Sequence, residues 1–429
     1  MALSDHTAAS SRDHEHLAER DLAAVQRRTV RVLVVAQAVG AVGIIVGVAT
    51  ASLLAEELSG SATLAGLVQS AQTLGAALFA FVLARVMAAR GRRPGQVGGL
   101  LVGAAGALLA VVAGAAGSMA LLLVGAVLLG ATTASNSAAR YAATDLAVPE
   151  HRARDLSTVV WATTLGAVLG PNLTGPAGAL ADGLGLPVLT GPFLLGGVLM
   201  LVAAAFVLVA MRPDPLLVAR EHHRAASHGL PPKPAVPALR VITGDQDLAM
   251  AVLAQASAHA AMVAVMIMTP LHMSHGGAEL DMIGLVISVH VLGMFAFAPL
   301  VGRACDRWGR GAVMTVGGLV LVLALLLAGA SPVGFSPHVG GGLFLLGVGW
   351  SLATVAASAT IADRSPLEQR PQVQGAADTV MLLAAAGAGA FSGPVVGWWG
   401  YGALALGACG LAAGVLVAGS VVQRHAGDR

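Results

Sequence analysis

The chain has 429 residues, of which 56% are hydrophobic and only 11% are charged. A soluble domain carries about 25% charged residues, so this composition excludes an ordinary water-soluble enzyme and also a disordered chain. The net charge of +2 gives no basic surface for nucleic acid. The only two cysteines, Cys305 and Cys409, exclude a disulfide framework.

Twelve stretches are long and apolar enough to cross a membrane, for which about 20 mostly apolar residues suffice. Gly and Ala are abundant in them, as expected where helix backbones pack closely. The sequence therefore predicts an all-α membrane protein with twelve transmembrane helices, named spans 1 to 12. The spans cover residues 32–55, 62–84, 97–117, 119–140, 157–180, 188–210, 247–272, 282–302, 312–331, 339–361, 376–396 and 402–422.

Basic residues indicate how the spans are oriented. If both termini lie in the cytoplasm, all 24 Lys and Arg residues fall in the tails or in the loops on the cytoplasmic side. Cytoplasmic loops of membrane proteins carry such an excess of positive charge. We therefore expect a multi-pass protein of the cell inner (plasma) membrane with both termini in the cytoplasm. The polar N-terminus is not expected to be a cleaved secretion signal.

The spans form two predicted six-helix bundles joined by a long connection. Five of the 19 prolines lie within 22 residues of this connection, at positions 213, 215, 231, 232 and 234, with Pro237 just after, and we expect a flexible or polyproline-II-like linker. The predicted segments are a cytoplasmic N-terminal tail (1–31), an N-terminal bundle (32–210), a cytoplasmic linker (211–246), a C-terminal bundle (247–422) and a cytoplasmic C-terminal tail (423–429).

The two bundles resemble the products of a duplication, because six residues recur at a constant offset of 218 positions. Two similar bundles around a midplane cavity are the architecture of many secondary transporters. The matched pairs are Arg85/Arg303, Gly91/Gly309, Arg92/Arg310, Asp145/Asp363, Glu150/Glu368 and Arg152/Arg370.

The loop after span 8 carries a signature, Gly302-Arg303-Ala304-Cys305-Asp306-Arg307-Trp308-Gly309-Arg310-Gly311. It resembles the G-x-x-x-D-R-x-G-R-[RK] loop of the major facilitator superfamily, with Gly311 departing from the last position. The resemblance covers all twelve spans and implies a major facilitator fold of two pseudo-symmetric bundles. It also implies a conformational latch of Gly302, Asp306, Arg307, Gly309 and Arg310, whose charges pair differently in two rocking states.

The first copy of this signature, after span 2, is degraded. Ala88 and Ala89 stand where Asp and Arg are expected, although Gly91, Arg92 and Arg93 persist. We interpret the remaining charges of this copy as residues that only orient the chain in the membrane.

Span 5 contains a kink motif, Gly166-x-x-x-Gly170-Pro171-Asn172-x-x-Gly175-Pro176. It resembles the span 5 motif of facilitator antiporters, with Pro176 in place of the usual second glycine. The glycines permit close packing and Pro171 is expected to kink the helix. The motif is compatible with an exchange mechanism. It is equally explained as a helix bend that any transporter needs.

Methionine is concentrated in spans 7 and 8. Met262 and Met266 are four residues apart and share one face of span 7, whereas His290 and Met294 share one face of span 8. The first pair lies roughly 9–15 Å from the outer end of its span and the second roughly 13–20 Å. Thioether sulfur favours Cu(I), and imidazole also binds copper. The pairs therefore predict a metal site of three thioethers and one imidazole, although packing also explains a methionine pair.

Within the facilitator superfamily, the CcoA-type bacterial copper importers carry Met-x-x-x-Met on span 7 and His-x-x-x-Met on span 8, which this chain resembles. The resemblance implies secondary-active copper uptake by alternating access, with copper supplied to cytochrome oxidase assembly. Copper is then the transported substrate, no cofactor is bound permanently, and the expected partners are copper, the lipid bilayer and a cytoplasmic copper acceptor. We expect a monomer that binds no nucleic acid.

Three residues of the outer loop, His272, Met273 and His275, are candidates for collecting the ion, although a solvated turn explains them as well. His259 lies on nearly the same face as Met262 and could extend the path or carry a proton, with a packing role equally credible.

The main alternative is a proton-coupled efflux antiporter for drugs or metabolites. Such exporters commonly use a buried carboxylate, yet the sequence places no Asp or Glu in the middle of a span, with Asp378 near the inner end of span 11. A second alternative is a non-transporting membrane sensor or assembly factor. No catalytic or cofactor motif is visible, so the chain is not expected to be an enzyme.

Overall fold

The fold was obtained as a computed structural model, which describes residues 2–226 and 236–427. Across these two ranges all regular secondary structure is helical, as the sequence predicts. Eleven helical segments are long and apolar enough to cross a membrane, and the last of them, Leu367–Gly427, contains two spans. The predicted all-α fold class is therefore confirmed.

The first half of the chain contributes seven α-helices and two short 3₁₀ turns. The 3₁₀ turns are Pro149–His151 and Val188–Thr190. The helices are α1 (Ala2–Ser59), α2 (Ala62–Arg90), α3 (Arg92–Ala116), α4 (Met119–Ala142), α5 (Arg152–Trp161), α6 (Thr163–Gly183) and α7 (Gly191–Ala210).

The connection between the halves is partly helical. It contains α8 (Pro215–Ala226) and α9 (Ala238–Gly244), so the prediction of a flexible or polyproline-II-like linker is wrong for these two stretches. The helix α8 can form because the residues after its first position, Leu216 to Ala226, include neither proline nor glycine. Prolines 231, 232 and 234 lie in the segment 227–235, outside the described residues.

The second half repeats the arrangement of the first, with one 3₁₀ turn at Leu367–Gln369. Its helices are α10 (Gln246–His275), α11 (Leu280–Phe295), α12 (Ala298–Trp308), α13 (Arg310–Gly329), α14 (Pro337–Arg364) and α15 (Arg370–Gly427).

Four spans depart from single straight helices: spans 5 and 8 are interrupted, and spans 11 and 12 are joined. Span 5 is interrupted at Ala162, between α5 and α6, whereas Pro171 and Pro176 lie inside α6. Span 8 is interrupted at residues 296–297, between α11 and α12. Spans 11 and 12 are continuous in α15 except at Gly400, whose φ of +84° turns the chain. By the 218-residue offset, the counterparts of the breaks in spans 5 and 8 are Val380 and Leu78, which lie inside uninterrupted parts of α15 and α2.

The helices pack through small residues, and their outer faces are apolar. A Cβ on Gly75 would lie 2.1 Å from the carbonyl oxygen of Val127, so α2 and α4 touch backbone to backbone. Large apolar side chains such as Leu108 and Val209 are exposed on the outside. The packing therefore buries glycine and alanine and leaves larger side chains for lipid.

The α2–α4 contact gives a first prediction. Gly75→Ala should lower the free energy of unfolding by about 1–3 kcal/mol, because the added methyl group forces two helix backbones apart. Gly98→Ala is the matched control, since a Cβ there meets nothing within 4 Å. Thermal unfolding of the purified protein in detergent measures both variants, and equal melting temperatures for the two would contradict the packing argument.

Candidate functional site

A cavity of about 750 Å³ lies between the two halves of the chain. Helices α1, α4, α5 and α6 line it from the first half, and α10, α11, α14 and α15 from the second. Most of its lining is apolar. The polar and titratable lining residues are Gln37, Thr133, Asn136, Ser137, Arg140, Thr163, Thr164, Asn172, His259, Ser288, Trp350, Thr354 and Ser358.

The first half supplies most of the hydrogen-bonding groups of this cavity. The Gln37 side chain donates from Nε2 to Thr163 Oγ1 at 3.0 Å. Within the described part of the chain, Gln37 Oε1 and Thr164 Oγ1 are buried without a hydrogen-bond partner. A buried polar atom without a partner is costly, and both residues line the cavity.

The second half supplies an aromatic wall of three rings. The Trp350 indole donates from Nε1 to His259 Nδ1 at 2.9 Å, and Phe295 meets the indole edge to face at a centroid distance of 5.7 Å. Because an indole N–H only donates, Nδ1 of His259 accepts and the imidazole proton lies on Nε2. His259 therefore stands on the cavity, where it holds the tryptophan in place.

A buried ion pair forms the floor of the cavity and joins the halves. Arg140 of α4 donates to Asp378 of α15 at 2.5 Å and to Ser358 of α14 at 3.1 Å. Gln255 of α10 also donates to Asp378, at 2.9 Å. The Arg140 guanidinium lies 4.6 Å from the ring centroid of Tyr141. Both charges are thus compensated within the protein.

Asp378, which the sequence places near the inner end of span 11, is therefore part of a buried ion pair. Asp378 is only 3% exposed and binds the guanidinium of Arg140, which lines the cavity. Sequence reasoning placed it near the end of span 11 and counted Arg140 only as an orienting charge. The signal that could have found them is one basic and one acidic residue inside spans of opposite halves.

The four predicted metal ligands occupy the second half but do not line the central cavity, as the lining of described residues shows. Met262 and Met294 are buried in one apolar cluster, and Met266 packs against it. His290 is fully buried on α11 and turned toward α14, where its Nδ1 donates to the Leu343 carbonyl at 2.7 Å. Its Nε2 has no partner among the described residues.

The three residues predicted to collect the ion are held in different ways. His272 has its Nε2 at 3.1 Å from Ser331 Oγ and stacks on Tyr401 at a centroid distance of 4.2 Å. Met273 is buried in an apolar cluster with Ile283 and its neighbours. His275 is exposed at the end of α10. The structure therefore fixes His272 and Met273 by packing and leaves His275 open to solvent.

The predicted latch residues lie at the end of the bundle that carries α8 and the loops after spans 2, 4, 8 and 10, which we call the basic end. Asp306 accepts hydrogen bonds from the amides of Ala153 and Arg154, at 3.2 and 2.9 Å. These amides begin α5, so a carboxylate of the second half caps a helix of the first. Arg310 donates to the Pro149 carbonyl of the first half at 2.9 Å.

The other latch residues have structural reasons for their identity. A Cβ on Gly302 would lie 2.0 Å from Ser157 Oγ, so only glycine lets α12 approach α5. Gly309 has a φ of +91°, a conformation that favours glycine. Arg307 is exposed.

Two ion triads complete the basic end, and they are related by the duplication. Asp145 lies 2.7 Å from Arg92 of its own half and 3.7 Å from Arg370 of the other. Asp363 lies 2.9 Å from Arg310 of its own half and 3.0 Å from Arg152 of the other. Each aspartate thus binds one arginine from each half. Arg92, although in the degraded signature, also donates to Gln374 of the second half at 2.7 Å.

The hydrogen bonds and ion pairs between the halves are unevenly distributed along the bundle. Those that the structure shows among residues 2–226 and 236–427 lie at the basic end or in the adjacent part of the membrane region. The cavity lies beyond them. The halves are therefore joined on one side of the cavity.

The span 5 motif positions α6 against α1. A Cβ on Gly166 or Gly170 would lie 2.6–2.7 Å from atoms of Ala41 or Ile45, which makes both glycines packing residues. Pro171 lines the cavity, whereas Gly175 is exposed.

Comparison with known proteins gives consistent matches over most of the chain. The sequence profile of the Major Facilitator Superfamily matches residues 32–278 and 251–427. The uncharacterized MFS-type transporter YddS of Bacillus subtilis (strain 168) is 35% identical over 387 residues, covering 89% of this chain and 87% of the relative. The riboflavin transporter RfnT of Brucella anthropi is 29% identical over 381 residues, covering 88% and 92%.

A solved structure agrees with the same fold. The human organic anion transporter MFSD10 (TETRAN) superposes with a TM-score of 0.72 at 18% identity, over 92% of this chain and 99% of that structure. At this identity the likeness establishes the shared fold.

The buried ion pair gives a second prediction. Arg140→Met or Asp378→Leu alone should each lower the free energy of unfolding by about 3–5 kcal/mol, because the remaining charge is buried without its partner. The double variant should recover most of this loss. Thermal unfolding of the three variants measures the effect, and a double variant as unstable as the two single changes combined would show that the charges do not act as a pair.

Proposed function

Because this chain belongs to the major facilitator superfamily, we propose that it transports a planar aromatic organic solute, which binds in the central cavity and passes by alternating access. The observation that carries this proposal is the wall of Phe295, Trp350 and His259. Its indole is held in place by a hydrogen bond before any solute arrives. An oriented aromatic face binds a flat ring by offset stacking.

The rest of the cavity suits a solute of this kind. Its volume of about 750 Å³ lies within the range of sites that enclose drug-sized molecules, about 300–1,000 Å³. Gln37 and Thr164, each with a side-chain oxygen that has no partner among the described residues, line the same cavity from the first half. They would hydrogen-bond the polar edge of a ring system whose face lies on Trp350.

The relative RfnT supports the same class of solute. Its name assigns it riboflavin, a molecule with a flat aromatic ring system and a polar edge. We propose that the present chain accepts a solute of this chemical class.

The structure also suits one step of a transport cycle. Since the halves are joined at the basic end, and since the count of basic residues assigns that end to the cytoplasm, we propose that this state faces outward. Return to the inward-facing state requires the bonds of Arg140, Asp145 and Asp363 to break. A proton delivered to Asp378 would remove one of these charges and favour that step, in keeping with a proton-coupled carrier.

Copper is a second candidate substrate, favoured by the side chain of His290. Its Nδ1–H is used by the Leu343 carbonyl, so Nε2 carries a free lone pair. A histidine that ligates a metal commonly donates its other ring N–H to a carbonyl in this way. Met294 lies one turn further along the same helix, and Met262 and Met266 lie in or against its apolar cluster. We propose these four side chains as the ligands if the solute is Cu(I).

The aromatic wall gives a third prediction. Trp350→Ala should weaken binding of riboflavin, used as a fluorescent probe, by about tenfold, because it removes the stacking surface. Trp350→Phe should stay within about threefold of wild type. Trp398→Ala is the control, since this tryptophan is 73% exposed on the outer surface.

Quenching of riboflavin fluorescence by the purified protein in nanodiscs measures these affinities. If wild type binds neither riboflavin nor any other flat heterocycle of a test panel, the proposed solute class is wrong. Equal affinity of wild type and Trp350→Ala would also contradict it.

The copper candidate gives a fourth prediction. In proteoliposomes supplied with radioactive Cu(I), His290→Ala and the pair Met262→Leu with Met294→Leu should each reduce uptake at least about tenfold. Uptake should also fall as the pH drops from 8 to 5, since protonated imidazole does not bind metal. Met268→Leu is the control on the same helix.

If wild type takes up no copper, or if the ligand variants take up as much as wild type, copper is excluded as the substrate of this site. Riboflavin binding should be insensitive to the same variants, because the four side chains do not line the cavity.

A further inference from the structure

The linker helix α8 contacts both halves at a place where the duplicated latch is missing. Asp306 of the second half caps the start of α5 across the interface between the two halves, which we call the seam. The equivalent position in the first half, 218 residues earlier, is Ala88, which has no carboxylate. The residue equivalent to Ala153 is Pro371, which has no amide hydrogen to donate. The carboxylate and one of the two amides of the first latch are therefore missing, whereas Gln372, the counterpart of Arg154, keeps its amide hydrogen.

Arg220 of α8 occupies this gap. Its guanidinium donates to the Ala88 carbonyl of the first half at 2.7 Å and to the Glu368 carbonyl of the second half at 2.7 Å. It also lies 3.5 Å from the Glu368 carboxylate. Arg220 is only 8% exposed, although it belongs to a surface helix. One side chain thus joins the two halves through three charge-assisted contacts.

The same contact exists in the second half with a different donor. Arg310 reaches across the seam to the carbonyl of Pro149, in the 3₁₀ turn before α5. Glu368 lies in the corresponding 3₁₀ turn before α15. Arg92, the counterpart of Arg310, bonds instead to Asp145 and Gln374. Arg220 therefore performs, from the linker, the cross-seam contact that Arg310 performs from its own loop.

The helix α8 is itself fixed to the first half. Asp214 caps it by accepting from the amides of Leu216 and Leu217, at 3.1 and 3.3 Å. Its other oxygen accepts from the Arg93 amide at the start of α3, at 2.8 Å, and Leu216 is fully buried. Separation of the halves must then break the Arg220 contacts to Glu368.

We propose that α8 is a clamp that holds the basic end closed. Asp214 fixes the helix to the first half, and Arg220 binds Glu368 of the second half. In the opposite state of the carrier, the contacts of Arg220 to Glu368 are broken. The linker thus takes the place of the lost first latch and sets the balance between the two states of the carrier.

The experiment measures that balance without any solute. Spin labels are placed on Arg90→Cys in the first half and Arg424→Cys in the second, both exposed at the basic end, in a background of Cys305→Ala and Cys409→Ala. Distances between the labels are measured by pulsed electron–electron double resonance with the protein in nanodiscs. Arg220→Ala should shift the ratio of closed to open molecules toward open by about five- to tenfold.

Matched variants separate the clamp from a general effect on α8. Glu221→Ala, the neighbouring exposed position, should leave the distances unchanged, and Arg220→Lys should give an intermediate shift because lysine lacks the fork that reaches both carbonyls. Asp214→Ala frees the other end of the helix and should also open the basic end, which gives a second test if Arg220→Ala folds poorly. Wild-type distances in both Arg220→Ala and Asp214→Ala would overturn the proposal.

Discussion

Charges buried between the two halves must find partners there, and the shape of the molecule follows from this constraint. In an apolar interior an unpaired charge costs several kcal/mol, so Arg140 is held by Asp378 and each aspartate of the two triads is held by two arginines. These bonds close one side of the seam and leave the cavity on the other.

The cavity owes its character to an unequal division between the halves. The first half contributes hydrogen-bonding side chains, such as Gln37 and Thr164, and the second contributes the rings of Phe295, Trp350 and His259. A solute that uses both walls bridges the seam, so its binding energy depends on how closely the halves approach each other. In the proposed transport cycle, solute recognition and the movement of the halves are therefore linked through the same surface.

The fold was largely predictable from the sequence, and the site much less so. Span length and the distribution of arginine follow from the cost of burying polar groups in lipid, which is why the helical architecture could be read along the chain. The contacts of Arg140 and Asp378 could not, because they join positions 238 residues apart and depend on how the helices are rotated. Helical spacing placed His290 and Met294 on one face of α11, yet it did not show that His290 is turned toward α14 and away from the cavity. The aromatic wall was missed for the same reason, because it depends on a contact between Trp350 and His259, which lie on different helices.

The duplication has a consequence at the centre of the seam. Arg140 and Ser358 occupy equivalent positions, 218 residues apart, and they bond to each other. A protein built from two identical copies of one half would set this position against itself, arginine against arginine or serine against serine. Two like charges in an apolar interior repel strongly, so an arginine here is compatible only with a different residue in the sister copy. Fusion of the copies into one chain allowed the two positions to differ, and the result is an arginine that donates to a serine hydroxyl at the equivalent position.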